Sequence, residues 1–169
     1  MSAPIGSAAP KRSGPYRART LALAAALLVL GTACAKASAT TSPGSYRVFA
    51  QQFRFHGLPA HVQADSSFDI VFTNREAFPF RHELVLVGID SGQGADDIVA
   101  AAKKSGQDSE DQWLHFGEIG EVDTGSTKVG VFSLPPGTYA LVCWENEKPG
   151  GGTGLAHAAR GMVFEFAVP

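Results

Sequence analysis

The sequence predicts an all-β fold, an antiparallel Greek-key β-sandwich with one short inserted helix, and three observations support this prediction. Short segments rich in Val, Ile, Phe, Tyr and Thr recur along the chain, separated by clusters of Gly, Pro and Asn. In several of them apolar and polar residues alternate, as they do in a strand with one buried face. One segment has the charge distribution of a helix. Seven or eight short strands with one helix fit two packed sheets.

The residues from Tyr46 to Val87 are predicted to form four strands. Tyr46 to Phe55 is rich in β-forming residues, and a short strand fits around His61 to Ala64. Phe68 to Asn74 alternates between apolar and more polar residues. After a polar connection, His82 to Val87 predicts a further strand.

The second half predicts the helix and three more strands. The helix runs from Asp96 to about Ser105, with acidic residues in its first turn and lysines in its last. Trp113 to Val122 fits no single pattern. Thr127 to Leu134 and Thr138 to Cys143 are joined closely by Pro135-Pro136-Gly137, which predicts an antiparallel pair. The last strand is Met162 to Val168.

Residues 1–34 have the features of an export signal. Four basic residues precede an uncharged run, Leu21 to Ala33, that is too short to span a bilayer comfortably. The run ends in Leu30-Gly31-Thr32-Ala33-Cys34, which resembles a bacterial lipobox, so we expect lipid attachment at Cys34. Cleavage at Ala37-Ser38-Ala39 is the alternative and would release a secreted or periplasmic protein.

The rest of the chain divides into a tether and a folded domain. Residues 35–45 are small and polar, which predicts a flexible tether, and residues 46–169 form the domain. Residues 1–34 hold four of the 14 basic residues and none of the 16 acidic ones, so the remainder has a formal charge of about −6. This acidity argues against a nucleic-acid partner and suits a soluble domain or a basic protein partner.

The two cysteines are expected to have different roles. If Cys34 carries a lipid, Cys143 is a single thiol in a compartment where paired cysteines oxidise. A bound metal would explain such a thiol. A disulfide between Cys34 and Cys143 remains the alternative.

Four side chains near predicted strand ends have the chemistry of a metal site. Cys143 ends one strand, His157 and Met162 bracket the entry to the next, and His82 begins another. One thiolate, two imidazoles and one thioether are the ligands of a mononuclear type 1 copper site. In a sandwich these strand ends can lie at the same end of the molecule.

Three segments resemble the cupredoxins, the family of plastocyanin-like blue copper proteins. They are Val71-Phe72-Thr73-Asn74 leading to His82-Glu83-Leu84, the Pro-Gly-x-Tyr-x-x-x-Cys segment Pro136 to Cys143, and the His-x4-Met-Val ending from His157 to Val163. The likeness extends from Tyr46 to Val168. It implies one copper ion, with His82 and His157 as nitrogen ligands, Cys143 as the thiolate and Met162 as the axial sulfur. It also implies one-electron transfer with a redox or copper-exchange protein partner, and no enzymatic activity.

The spacing of two of these ligands departs from the family pattern. Cupredoxins usually place the Cys and the second His a few residues apart, whereas the thirteen residues from Trp144 to Ala156 separate Cys143 from His157 here. This segment is polar and rich in glycine, so it can loop out and return. We expect a loop of this kind to lose entropy on metal binding and to loosen the ligand geometry.

Each candidate ligand also has an ordinary structural interpretation. Cys143 and Met162 could be core residues, and His82 could be a strand-end histidine bonded to Glu83 or to a backbone carbonyl. His56 and His61 are expected at the surface, where either could replace His157 if the long loop fails. The remaining candidates are expected to have no metal role: His115 to lie in a packed strand, and Glu145 and Glu147 on a solvated face.

Other functional classes have less support in the sequence. It lacks Gly-x-Ser-x-Gly, His-Glu-x-x-His and a P-loop lysine, so a Cys-His nucleophile pair is the one catalytic arrangement left. A redox-active thiol and a copper-handling or metal-free binding module that recognises a protein partner remain alternatives to electron transfer.

Overall fold

The structure is a computed structural model that describes residues 44–63, 67–146 and 154–169. The predicted export signal, Cys34 and almost all of the predicted tether lie outside these residues and stay predictions. Within the described part, no helix is long and apolar enough to cross a membrane.

The described residues form a sandwich of two four-stranded sheets. The first sheet has the strand order β2-β1-β3-β6 and the second β5-β4-β7-β8. The strands are β1 Ser45–Ala50, β2 Phe55–His56, β3 Ser67–Asn74, β4 His82–Ile89, β5 Leu114–Val122, β6 Thr127–Ser133, β7 Gly137–Val142 and β8 Val163–Val168. The chain crosses between the sheets after β3, β5 and β6. The predicted β-sandwich is confirmed, and one pair within it, β1 with β3, is parallel.

Alternation along the strands builds two apolar layers. Residues facing the space between the sheets form the main core, which includes Ile70, Phe72, Leu84 and Leu141. The opposite faces of β4 and β7 form a second layer under the helix. These two central strands are therefore buried on both faces, which explains their nearly continuous apolar sequences.

The predicted helix is confirmed as α1, Ala95–Ser105, followed by a 3₁₀ helix, Gly106–Gln112. The backbone N–H of Gly94 donates to the Asp97 carboxylate at 2.9 Å, which caps the first turn. Ile98 and Ala102 are buried against the outer face of the second sheet. In the segment with no clear pattern, Trp113 caps the C-terminal end of the 3₁₀ helix and the following residues form strand β5.

The structure corrects two strand predictions. The segment from Tyr46 to Phe55 is two strands, because Gln52 and Phe53 adopt positive φ angles of 54° and turn the chain. The strand predicted at His61 is a single bridge to Ala167.

The predicted antiparallel pairing of β6 with β7 is wrong. β6 pairs with β3 in the first sheet, and β7 pairs with β4 and β8 in the second. Pro135 and Pro136 have no N–H to donate to a ladder, so this connection carries the chain from one sheet to the other.

Asn74 fixes the connection that leads from β3 to His82. Its fully buried side chain donates to the carbonyls of Phe80 and Val122 at 2.9 and 2.8 Å, and accepts from the N–H of Glu76 at 2.9 Å. One amide thus satisfies three backbone groups from two segments.

We predict that Asn74→Ala lowers the free energy of unfolding by about 2–4 kcal/mol, because it removes the side-chain partner of the buried Val122 carbonyl and of the Glu76 N–H. The measurement is equilibrium denaturation. Thr73→Ala is the matched control on the same strand, since its hydroxyl meets Thr127 at an exposed position, and it should cost less than about 1 kcal/mol. Equal losses for the two variants would contradict this role of Asn74.

Candidate metal centre

Three neighbouring strands bring the predicted ligands to one end of the second sheet. Val142 pairs with Val85 of β4 on one side and with Val163 of β8 on the other. One residue further along this register, Cys143 faces Met162, and its N–H donates to the Met162 carbonyl at 3.3 Å. The antiparallel ladder therefore places the thiol between the start of β4 and the start of β8.

The long insertion is closed at its base by backbone hydrogen bonds. The N–H of His157 donates to the Glu145 carbonyl, and the N–H of Ala158 donates to the Cys143 carbonyl, both at 2.8 Å. A bridge between Asn146 and Ala156 adds a further contact. These bonds tie His157 to the residues on either side of Cys143. The expectation that the insertion loosens the ligand geometry stays a prediction.

His82, Cys143 and His157 meet in the protein interior. The Nδ1 atoms of the two imidazoles are 3.1 Å apart. The Cys143 Sγ atom lies 3.4 Å from His157 Nδ1 and 3.7 Å from His82 Nδ1. All three side chains have no exposed surface. Three electron-pair donors therefore converge at a position shielded from the solvent.

This arrangement fits a transition-metal ion. A point equidistant from the three donor atoms lies about 2 Å from each, close to the distances of about 2.0–2.3 Å at which imidazole and thiolate bind such metals. Two imidazoles and a thiolate in one plane are the trigonal part of a type 1 copper site. Among the described residues, this is the one group of three or more His, Cys, Asp or Glu side chains close enough to share an ion.

Met162 lies beside this trio in the core. Its side chain is fully buried in the same apolar cluster as Cys143, and its N–H donates to the His157 carbonyl at 3.1 Å. These contacts place the residue at the site, and its role as axial ligand stays a proposal.

The Cys143 thiol is fully buried, and one backbone N–H of β4 faces it. Burial raises the pKa of the Cys143 thiol well above its usual value, and the nearby Glu83 carboxylate raises it further. The backbone N–H of Glu83 points at Sγ over 3.5 Å. A metal ion would compensate for the cost of a buried thiolate, since it supplies the missing positive charge.

Glu83 joins the first histidine strand to the residue after the thiol. Its carboxylate accepts from the N–H of Trp144 at 2.9 Å, whereas the carboxylate near His82 is that of Glu76. Burial raises the pKa of Glu83 to about 7, opposed by this hydrogen bond and reinforced by Glu110 and Glu145.

Both imidazoles are kept neutral by their surroundings. Burial lowers the pKa of His82 from 6.5 to about 4, although Glu76, 3.7 Å from its Nε2, acts in the opposite direction. Burial and the adjacent His82 lower the pKa of His157 to about 3. Neutral imidazole is the form that binds a metal.

The other candidate residues lie away from this centre. His56 is half-buried on β2 and stacks on Phe49, and His61 is exposed, so neither replaces His157. His115 lies on β5 as expected, but it is exposed and not packed. Glu145 is half-buried and pairs with Arg81, while Glu147 lies outside the described residues. Cys143 is a free thiol.

Four residues around the centre were not assigned a role from the sequence. Asn74 was quoted as part of the resemblance and Glu83 as a partner of His82, so local signals existed for both. Glu76 and Phe53 reach the histidines only through the folded chain: the Phe53 N–H donates to the Glu76 carboxylate at 3.0 Å, and the Phe53 ring lies 4.8 Å from the His157 ring.

The lowered histidine pKa values predict acid sensitivity of the metal-free protein. Below about pH 6.5 the unfolded chain protonates both imidazoles, whereas the folded protein does so only near pH 4 and pH 3. Unfolding therefore takes up protons at these two imidazoles, and their contribution to the free energy of unfolding falls as the pH falls through this window, opposed in part by Glu83, whose pKa is raised. At pH 5, His157→Gln should reduce the number of protons taken up by about one.

The measurement is denaturant unfolding of the metal-free protein from pH 7 to pH 4. His61→Gln is the matched control, because its side chain is exposed, and it should keep the wild-type slope. A wild-type slope in the His157 variant would show that this imidazole is not held neutral.

Solved structures provide the comparison with known proteins. Neither protein-family models nor curated protein sequences match the chain. An auracyanin from the photosynthetic bacterium Roseiflexus castenholzii aligns over 76% of this chain and 98% of its own, with TM-score 0.54 and 18% identity. Auracyanin B aligns over 76% of this chain and 91% of its own, with TM-score 0.52 and 23% identity.

Auracyanin A, described as a "blue" copper protein from the green thermophilic photosynthetic bacterium Chloroflexus aurantiacus, gives a similar match. It aligns over 76% of this chain and its full length, with TM-score 0.52 and 20% identity. Auracyanins are cupredoxins. These alignments show that the described domain of this chain has the cupredoxin fold.

Proposed function

We propose that this chain is an exported, mononuclear copper protein that transfers single electrons. His82, Cys143 and His157 would bind the ion, and Met162 would be its weak axial ligand. The observation that carries this proposal is the convergence of two Nδ1 atoms and one Sγ atom, all fully buried, within 3.1–3.7 Å of one another.

Copper at this position would supply a one-electron couple between Cu(I) and Cu(II). The protein's contribution is to hold the donor atoms in place in both states. His82 and Cys143 are fixed by the β4–β7 ladder, and His157 by the hydrogen bonds at the base of the insertion. Because the donors are already gathered, little rearrangement accompanies a change of charge.

Electron transfer suits this site better than nucleophilic catalysis. A nucleophile must reach its substrate, but the Cys143 thiol has no exposed surface and a raised pKa. An electron can pass through the imidazole rings without a substrate entering. The same burial argues against a redox-active thiol that exchanges disulfides with another protein.

The proposed location is the outer face of the membrane. The signal-like N-terminus and the lipobox-like sequence at Cys34 support an anchored protein, with a secreted or periplasmic protein as the alternative. The acidic charge of the remaining chain supports a basic redox or copper-exchange protein as partner.

We predict that Cu(II) added to the metal-free full-length protein gives an intense visible absorption band from thiolate-to-copper charge transfer. One equivalent should saturate it. Cys143→Ser should abolish the band, because a hydroxyl cannot replace the thiolate. Absorption and electron paramagnetic resonance titrations measure this.

Met162→Leu is the matched control for the loss of a sulfur atom near the site. It should fold and keep an intense band, because the axial bond is weak and the side-chain volumes are similar. If the wild-type protein shows no charge-transfer band with Cu(II), the electron-transfer proposal is wrong and the metal-free binding module is favoured.

Membrane anchoring makes a separate prediction. Cys34→Ser should move the protein from the membrane fraction to the soluble fraction, since the thiol is the proposed lipid attachment point. Fractionation followed by mass spectrometry measures this. If the variant remains membrane-bound, Cys34 is not the anchor.

A further inference from the structure

Phe53 contacts both histidines, and Phe80 packs beside it, 5.1 Å from the Phe53 ring and 6.3 Å from the His157 ring. The Phe53 ring centroid lies 4.8 Å from the His157 ring and 5.7 Å from the His82 ring, in edge-to-face geometry with both. Both imidazoles are fully buried, whereas Phe53 is half-buried. The Nε2 atoms of the two histidines have no hydrogen-bond partner among the described residues. An apolar cover of this kind keeps water from these two nitrogen atoms.

The backbone that carries this ring is strained. Gln52 and Phe53 both have φ angles of 54°, a region that residues with a Cβ atom rarely adopt. The turn is closed by reciprocal backbone hydrogen bonds between Gln51 and Arg54 at 3.1 and 3.2 Å. Strain persists where surrounding contacts impose it, and it often marks a functional position.

Two contacts hold the ring in its closed position. The Phe53 N–H donates to the Glu76 carboxylate at 3.0 Å, and this same carboxylate oxygen lies 3.7 Å from His82 Nε2. The Arg160 guanidinium lies 4.9 Å from the centroid of the ring, at the end of the turn that begins with His157. The backbone of Phe53 is thus held by the connection that precedes His82, and its ring by the turn that begins with His157.

We infer that Phe53 is a lid on the metal centre and controls the exchange of copper between the site and solvent. The turn at Gln52 and Phe53 is its hinge, and Glu76 and Arg160 hold it closed. A short turn can open while the second sheet stays intact, because the turn contributes no pairing to the β4–β7–β8 ladder. The copper part of this inference rests on the proposed function, whereas the shielding of the imidazoles does not.

The shielding is tested on the metal-free full-length protein with diethyl pyrocarbonate, which acylates accessible imidazoles. Mass spectrometry gives the rate at each histidine, and exposed His61 and His115 are internal standards. In the wild-type protein His82 and His157 should react at least about tenfold more slowly than these standards. Phe53→Ala should speed both reactions by about tenfold, and Phe53→Leu, which keeps an apolar cover, should speed them less.

Phe49→Ala is the matched control, since this half-buried ring on β1 contacts His56 and Arg75 and does not touch the centre. It should leave the rates at His82 and His157 unchanged. If Phe53→Ala does not fold, as judged by thermal unfolding, Phe53→Leu decides. Wild-type rates at His82 and His157 equal to those of the standards, or unchanged rates in the folded Phe53 variants, would overturn the lid.

The exchange is tested on the copper-loaded protein by extraction of Cu(I) with a chelator under reducing conditions. Phe53→Ala should release copper about tenfold faster than the wild-type protein, while Phe49→Ala should match it. Faster acylation without faster release would overturn control of exchange by the lid. A wild-type protein that binds no copper overturns this arm along with the proposed function, and the acylation result still decides the shielding.

Discussion

The position of β7 between β4 and β8 is the constraint on which the candidate metal centre depends. Both edges of β7 are hydrogen-bonded, so its register is fixed from two sides, and a slip of one residue would turn Cys143 away from the core. The first histidine begins one neighbouring strand, and Met162 directly precedes the other. The fixed register of these three strands therefore positions Cys143, His82 and Met162 relative to one another.

The same constraint explains why the centre is electrostatically costly without a metal. The ladder carries a thiol and two imidazoles into an apolar interior, where burial favours their neutral forms. Three neighbouring groups then act on the buried thiol and imidazoles. The amide of Glu83 faces the sulfur, Glu76 faces the outer nitrogen of His82, and Phe53 excludes water. A cation bound by the three donors would relieve much of this cost, which links occupancy to stability.

Local sequence patterns predicted most of the sandwich but not its pairing. Strand β3 and helix α1 were found within one residue, because alternation and helix-end charges are local signals. The pairing of β6 with β7 was predicted wrongly, since closeness along the chain does not say to which sheet a strand belongs. The length and composition of the insertion suggested a loose ligand. The hydrogen bonds at its base could not be foreseen, because they join residues more than ten positions apart.

The sequence by itself determined the chemistry: one thiol, two imidazoles and one thioether at the ends of β-forming segments, in a chain that begins with a signal-like region. These are properties of residue type and local pattern. Only the tertiary structure decided that three donors meet within 3.7 Å, that the insertion closes at its base, and that Phe53 covers the histidines. The physical reason is that these features depend on long-range register and on a positive φ angle at a phenylalanine, neither of which local propensity encodes.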